Sequence, residues 1–271
     1  MIYLDNNATT EIAEEVFEAM KPYLTNRFGN PSAVYDFARE AREIVDVSRQ
    51  RLADLVGAEN SAEIVFTSCG TESDNWAILG ALGANPEKRH IITTKVEHSA
   101  ISNLCKKLEQ DGVEVTTLGV DENGSLDLDE LRGALRPETA VVSVMMANNE
   151  TGIIFPVKEI AEIVHSDSDA VFHVDGVNAV GKIPVNVREA GIDLFSISGH
   201  KFHAPKGIGA LYIRRGVKLA PMLIGGSQES GRRAGTEAVH QIAAIGKAAE
   251  LAKSPGTDIR RLRDKLEDFI V

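Results

Sequence analysis

The sequence predicts an α/β protein with helices flanking a mainly parallel central sheet. Apolar runs of strand length alternate with segments of helical period. Several of those runs carry few polar positions, as strands covered on both faces require. The chain has 271 residues, 43% apolar and 25% charged, an ordinary globular composition and enough chain for a full-sized core.

In chain order, the strand candidates are residues 63–67, His90–Thr94, 140–146, Val171–Asp175, Leu194–Ser198 and 210–214. The helices between them have readable ends. One covers residues 38–56, with Ala41, Ile44, Val45, Ser48, Leu52 and Leu55 on one stripe and Gly57 as its stop. Another starts at Asp127, with Glu130 in a capping-box-like position and Leu126 placed to staple onto Leu131. After the break at Ser254-Pro255-Gly256, residues 257–271 read as a helix with Ile259, Leu262, Leu266, Phe269 and Ile270 on one face. An apolar face of this kind needs a partner, either the main domain or a following domain. No repeat and no low-complexity linker interrupts the pattern.

Charge and cysteine usage narrow the function classes. With 29 basic and 40 acidic residues the net charge is −11, which disfavours nucleic acid and anionic membrane surfaces as partners. Asp5 falls where a signal peptide would need its apolar run, and no stretch approaches the length of a membrane span. Two cysteines make no disulfide framework, so a reducing cytoplasm is the expected setting.

Ligands of parallel α/β sheets bind at the carboxyl ends of the strands, and the unusual polar residues fall there. The first strand runs into Ser68-Cys69-Gly70-Thr71-Glu72-Ser73 and then a helix, which offers free N–H groups to a phosphate. Taken alone, such a turn is more often an ordinary capped loop. The other strands end in Glu97-His98, Asn148-Asn149-Glu150, Asp175 followed by Asn178, and Ser198-Gly199-His200-Lys201. A lysine there suits a Schiff base with an aldehyde cofactor, a carboxylate suits a pyridinium nitrogen, and a histidine can stack or move protons. His200 and His203 have no third ligand at recognisable spacing, so no metal site is expected.

The same segments, together with Tyr3-Leu4-Asp5-Asn6-Asn7-Ala8-Thr9-Thr10, Phe28-Gly29-Asn30-Pro31-Ser32, His173-Val174-Asp175 and Arg233-Ala234-Gly235-Thr236, resemble the successive motifs of NifS/IscS-type cysteine desulfurases. They occur in the family's order along nearly the whole chain. The resemblance implies the large domain of a fold-type I, pyridoxal 5'-phosphate (PLP)-dependent transferase. By position, Lys201 resembles the Schiff-base lysine and Asp175 the partner of the pyridine nitrogen. His98 is similar to the ring-stacking residue that also protonates intermediates, and Asn149 to a polar contact at the ring. Gly70, Thr71, Ser198 and His200 are similar to the phosphate cradle, and Thr236 to a residue reaching the phosphate of a neighbouring subunit in a homodimer. The implied reaction converts L-cysteine to L-alanine and passes sulfur, as a persulfide, to an acceptor such as an iron–sulfur scaffold or a thiolation partner.

The resemblance divides the chain into an N-terminal arm (1–15), a PLP-binding large domain (16–256) and the start of an otherwise absent C-terminal small domain (257–271). The family's sulfur-accepting cysteine and its substrate-carboxylate arginine belong to that missing region. Cys105, at helical spacing with Ile101, Leu104 and Leu108, reads as a core residue, and Cys69 lies in the phosphate turn. Two other positions depart from the family. Asn178 stands where a glutamine usually meets the ring hydroxyl, and the 225–231 loop carries Ser227 and Ser230 where glycine and arginine are favoured. These departures keep open a PLP-binding fragment or scaffold without turnover, and a related class V enzyme such as a selenocysteine lyase or an aminotransferase.

Overall fold

The computed structural model describes residues 2–253 and 259–270. Seven strands form one sheet: β1 (Ile64–Thr67), β2 (His90–Thr94), β3 (Glu114–Leu118), β4 (Thr139–Ser143), β5 (Val171–Asp175), β6 (Leu194–Ser198) and β7 (Gly209–Ile213). Their spatial order is β1-β7-β6-β5-β4-β2-β3, with β7 antiparallel to both neighbours and every other pair parallel. Five parallel strands therefore end on one edge of the sheet. β2, β4, β6 and β7 are buried along their whole length, as strands sandwiched between helices must be.

Strand β3 lies outside the sequence expectation. It is an edge strand on which Glu114 and Thr117 are exposed and only Leu118 is buried. With one face and one edge open to solvent, no continuous apolar run is needed to hold it.

The helices are α1 (Glu14–Thr25), α2 (Arg39–Val56), α3 (Gly70–Ala84), α4 (Ser99–Gln110), α5 (Leu128–Ala134), α6 (Val157–Asp167), α7 (Val239–Ala252) and α8 (Ile259–Ile270). α2 follows a single 3-10 turn and buries Ala41, Val45, Ser48, Leu52, Ala53 and Val56, close to the expected stripe. It stops at Gly57, whose φ of 72° is left-handed and inexpensive only for glycine. α5 begins at Asp127, whose carboxylate accepts the N–H groups of Asp129 and Glu130 at 2.8 and 3.1 Å. α2 and α7 pack against each other closely: a Cβ on Gly246 would stand 2.3 Å from Ser48 Oγ.

Of the helix expected over 257–271, residues 257, 258 and 271 lie outside the described residues, as does Pro255. On α8 the side chains of Ile259, Leu262, Leu266, Phe269 and Ile270 are exposed. No helix among the described residues is long and apolar enough to cross a membrane.

A buried ion pair ties the loop before α7 to the sheet. Arg49 of α2 donates to both carboxylate oxygens of Glu229, at 2.6 and 2.8 Å. Glu229 also accepts the Phe66 N–H at 3.1 Å, and Arg49 stacks 4.7 Å from the Phe66 ring centroid. Glu229 and Ser230 take left-handed φ values of 51° and 59°, a conformation these side chains resist and the ion pair enforces.

Candidate active site

The carboxyl ends of the parallel strands, with the antiparallel-paired β1, bring their polar residues around one cavity of about 500 Å³. β1 delivers the turn over residues 68–73, the expected phosphate site. Gly70 is the first residue of α3, and a Cβ there would meet Val177 Cγ2 at 2.7 Å and Ser198 Cβ at 3.3 Å. Glycine is thus what lets the start of α3 close against the ends of β5 and β6. No side chain caps the start of α3, and its first two residues, Gly70 and Thr71, border the cavity. The turn itself is fastened by Ser73, whose Oγ meets Thr67 Oγ1 at 2.8 Å and donates to the Ala210 carbonyl at 3.0 Å.

Behind the turn, Glu72 accepts the Ser68 N–H at 2.7 Å and two hydrogen bonds from Arg233, at 2.8 and 3.0 Å. Burial works to raise the Glu72 pKa, but Arg233 and the two Ser68 donors outweigh it and hold the carboxyl below its usual range.

β2 leads through Glu97 to His98, the N-cap of α4. His98 Nδ1 accepts the Ala100 N–H at 3.1 Å, which fixes the tautomer and leaves Nε2 as the other polar atom of the ring. The segment after β4 reaches Asn148, whose side chain organises a tight loop by accepting the Glu150 and Thr151 N–H groups, both at 2.9 Å. Asn149 thereby comes to the cavity wall. β5 ends at Asp175, 5% exposed, which receives the Val177 N–H at 2.9 Å. β6 ends at Ser198, and one 3-10 turn over Gly199–Lys201 presents His200 and Lys201.

The N-terminal segment lies across that turn. Thr10 N–H and Oγ1 both donate to the His200 carbonyl at 2.9 Å, and Thr9 Oγ1 meets His200 Nδ1 at 3.0 Å. Lys201 Nζ donates to the Asn7 carbonyl, while Lys182 Nζ reaches Asn7 Oδ1 at 2.9 Å.

Of the residues singled out from sequence, Gly70, Thr71, His98 and Asn149 line this cavity together with Asp175, Asn178, Ser198, His200 and Lys201. The Asn178 side chain is engaged by Lys182. Thr236 is not part of the wall and sits exposed on the loop beyond Arg233. Asp5, Asn7, Asp74, Met145 and Val177 also line the cavity and had no assigned role. The asparagine–threonine run at 6–10 was a visible signal for the arm; Asp74, inside a helix, carried none. Cys69 is partly exposed on the wall, whereas Cys105 is 4% exposed and burial pushes its thiol up to about 12.

Burial and neighbouring charges shift the groups around the cavity. Burial lowers the Lys201 pKa, with Asp175 and Asp5 opposing. Burial lowers Lys182 to about 8, helped by the charge of Lys201. His200 is lowered by burial and then by the three lysines around it, Lys201, Lys206 and Lys182. On the acidic side, burial raises Asp175, while the Val177 N–H, His98 and Lys201 pull it back. No group of three or more His, Cys, Asp or Glu able to hold a metal occurs among the described residues.

Comparison with known proteins gives the family. The pattern of the family described as Aminotransferase class-V matches residues 2–270. Cysteine desulfurase 2 of Trichormus variabilis is 57% identical over 274 residues, covering all of this chain and 68% of that protein. The chain belongs to the cysteine desulfurases of the class-V aminotransferase family. Cysteine desulfurase NifS of Azotobacter vinelandii is 49% identical, again over all of this chain and 68% of its own length. Among solved structures, one titled NifS-like protein superposes with a TM-score of 0.90 at 39% identity, covering 93% of this chain and 69% of that one. Another, titled SspA in complex with cysteine, gives 0.93 at 36%, covering 99% and 78%.

Class-V cysteine desulfurases are PLP-dependent, and the cavity of this chain fits that cofactor. It offers an amine whose pKa burial has lowered, a buried carboxylate able to face a ring nitrogen, and uncapped N–H groups at a helix N-terminus for a phosphate.

Proposed function

We propose that the chain is the PLP-binding body of a cysteine desulfurase that converts L-cysteine to L-alanine and hands the sulfur atom to an acceptor thiol as a persulfide. The observation that carries this reading is the convergence of Lys201, Asp175, His98 and the Gly70-Thr71 helix start on one cavity. Bound PLP supplies an electron sink for the substrate carbon, and the remaining work belongs to protein groups.

Lys201 would hold the cofactor covalently and, as a free amine, would serve as the base for the α-proton. Its lowered pKa suits it to both tasks, because the neutral amine is the nucleophile and the base. Asp175 would hold a proton on the ring nitrogen through its charge. His98, with its ring oriented by the Ala100 N–H, offers Nε2 for proton transfer and would lie against the cofactor ring. Gly70, Thr71, Ser198 and His200 would hold the phosphate, and Asn149 and Asn178 would border the ring. The Asn178 side chain is engaged by Lys182 Nζ, so an amine competes for the contact Asn178 would make with the cofactor.

In this reading residues 1–15 are an arm over the active site, residues 16–256 the PLP-binding domain, and residues 257–271 the start of a small domain. The exposed Thr236 completes the phosphate site of a second copy in a homodimer. The setting is cytoplasmic, which two free thiols suit. The sulfur acceptor is an iron–sulfur scaffold or a thiolation protein.

The test is the visible spectrum of purified protein with PLP, before and after L-cysteine, beside Lys201→Ala. A band that cysteine shifts and the variant lacks, followed by stoichiometric alanine and persulfide, supports the reading. A borohydride-fixed PLP adduct retained in Lys201→Ala overturns the lysine assignment. Bound PLP without alanine reduces the function to cofactor binding.

A further inference from the structure

Asp74 is a buried acid that the strand-end chemistry leaves unused. It lies in the second turn of α3, 1% exposed, and borders the cavity with Asp175. Its Oδ1 has no hydrogen-bond partner among the described residues, and His173 Nε2 stands 3.6 Å away. His173 is no counterion. Its ring nitrogens meet Ser143 Oγ at 2.8 Å and Ser196 Oγ at 3.0 Å, and burial pushes it down to about 3. The other groups acting on Asp74 are the carboxyls of Asp175 and Glu97, the Cys69 thiol and the Ser196 hydroxyl. None of them is a cation. Burial, and then the charge of Asp175, hold Asp74 well above the usual carboxylate range.

Asp175 has different surroundings: a backbone N–H from Val177, and His98 and Lys201 acting on its charge. Two carboxyls in one buried wall do not both ionise, and unequal surroundings decide which keeps the proton. We propose that Asp74 is a positioning residue: a permanently protonated acid beside Asp175 that confines the charge of the pair to the carboxylate facing the ring nitrogen of PLP. This rests on the reading of Asp175 as the ring-nitrogen partner.

Difference infrared spectroscopy tests the protonation with or without cofactor. The expected result at neutral pH is a protonated-carboxyl stretch that disappears in Asp74→Asn and persists in Glu97→Gln. A spectrum without that stretch, or one that Asp74→Asn leaves intact, overturns the proposal. With PLP bound, Asp74→Asn, neutral at every pH as the protonated acid is, leaves the pH midpoint of the cofactor's visible absorption where the parent has it. A midpoint displaced by about one unit or more in Asp74→Asn shows that Asp74 carried charge, and overturns the proposal. Failure of the ring-nitrogen reading shows itself separately, as an Asp175→Ala protein whose cofactor spectrum matches the parent's.

Discussion

Arg233 grips Glu72 through two hydrogen bonds, at 2.8 and 3.0 Å, and so couples the loop before α7 to the phosphate turn after β1. The Glu72 carboxyl is held below its ordinary value of 4.5, with burial overcome by Arg233 and Ser68. A depressed carboxylate pKa adds stability that is complete above the unfolded value and is lost as pH falls through the folded one. Glu72→Gln is therefore expected to flatten the fall in stability below pH 4.5, measured as urea midpoints across acid pH.

Arg49 and Glu229 form the deeper bond of that loop, with side-chain exposures of 15% and 3%. Removing one partner strands the other charge. Arg49→Ala should cost about 3 kcal/mol in denaturant unfolding, and Glu229→Ala a similar amount. Additive losses in the double variant would argue against a direct coupling.

At Gly70 the fold and the proposed phosphate site make the same demand. Gly70→Ala pushes a methyl against Val177 Cγ2, 2.7 Å away, and displaces the helix start from the phosphate position. PLP affinity should fall at least about tenfold, since one lost charge-assisted contact is worth that much. Val177→Ala in the same chain should recover part of it, measured by titration with PLP.

The two thiols should separate cleanly under alkylation. Cys69 lies on the cavity wall, whereas Cys105 packs inside with its pKa at about 12. One fast and one slow cysteine are expected, with PLP slowing the fast one. Rapid modification of Cys105 in the native protein would contradict its core placement.

Packing at the α2–α7 contact gives a stability test remote from the cavity. Gly246→Ala places a Cβ 2.3 Å from Ser48 Oγ, and forcing the helices apart should cost roughly 1–3 kcal/mol. An unchanged Tm would show that the crossing relaxes freely.

Strand-end residues were legible in sequence because the sheet itself was. β2, β5 and β6 coincide with apolar runs, so whatever followed them, His98, Asp175 or Lys201, could be placed on a common edge. β3 was not legible, since its Glu114 and Thr117 face solvent and an edge strand needs no apolar run. Asp74 was hidden for another reason. α3 is buried nearly all round, so no stripe distinguishes an acid on an inner face from one on an outer face. Only the packing of α3 on β5 and β6 shows what surrounds it. The arm near Lys201 was legible as an unusual motif but not as a contact, because its bonds to His200 span about 190 positions of sequence.

Among the described residues, strand β1 pairs in the sheet only with β7, which leaves the ribosome about 140 residues later. During synthesis the parallel strands β2 to β6 can assemble while β1 and the phosphate turn behind it wait for a template. A chain ending before β7 would carry Lys201 and Asp175 but lack the register, Ile64 with Tyr212 through Thr67 with Gly209, that seats the start of α3 against Val177 and Ser198.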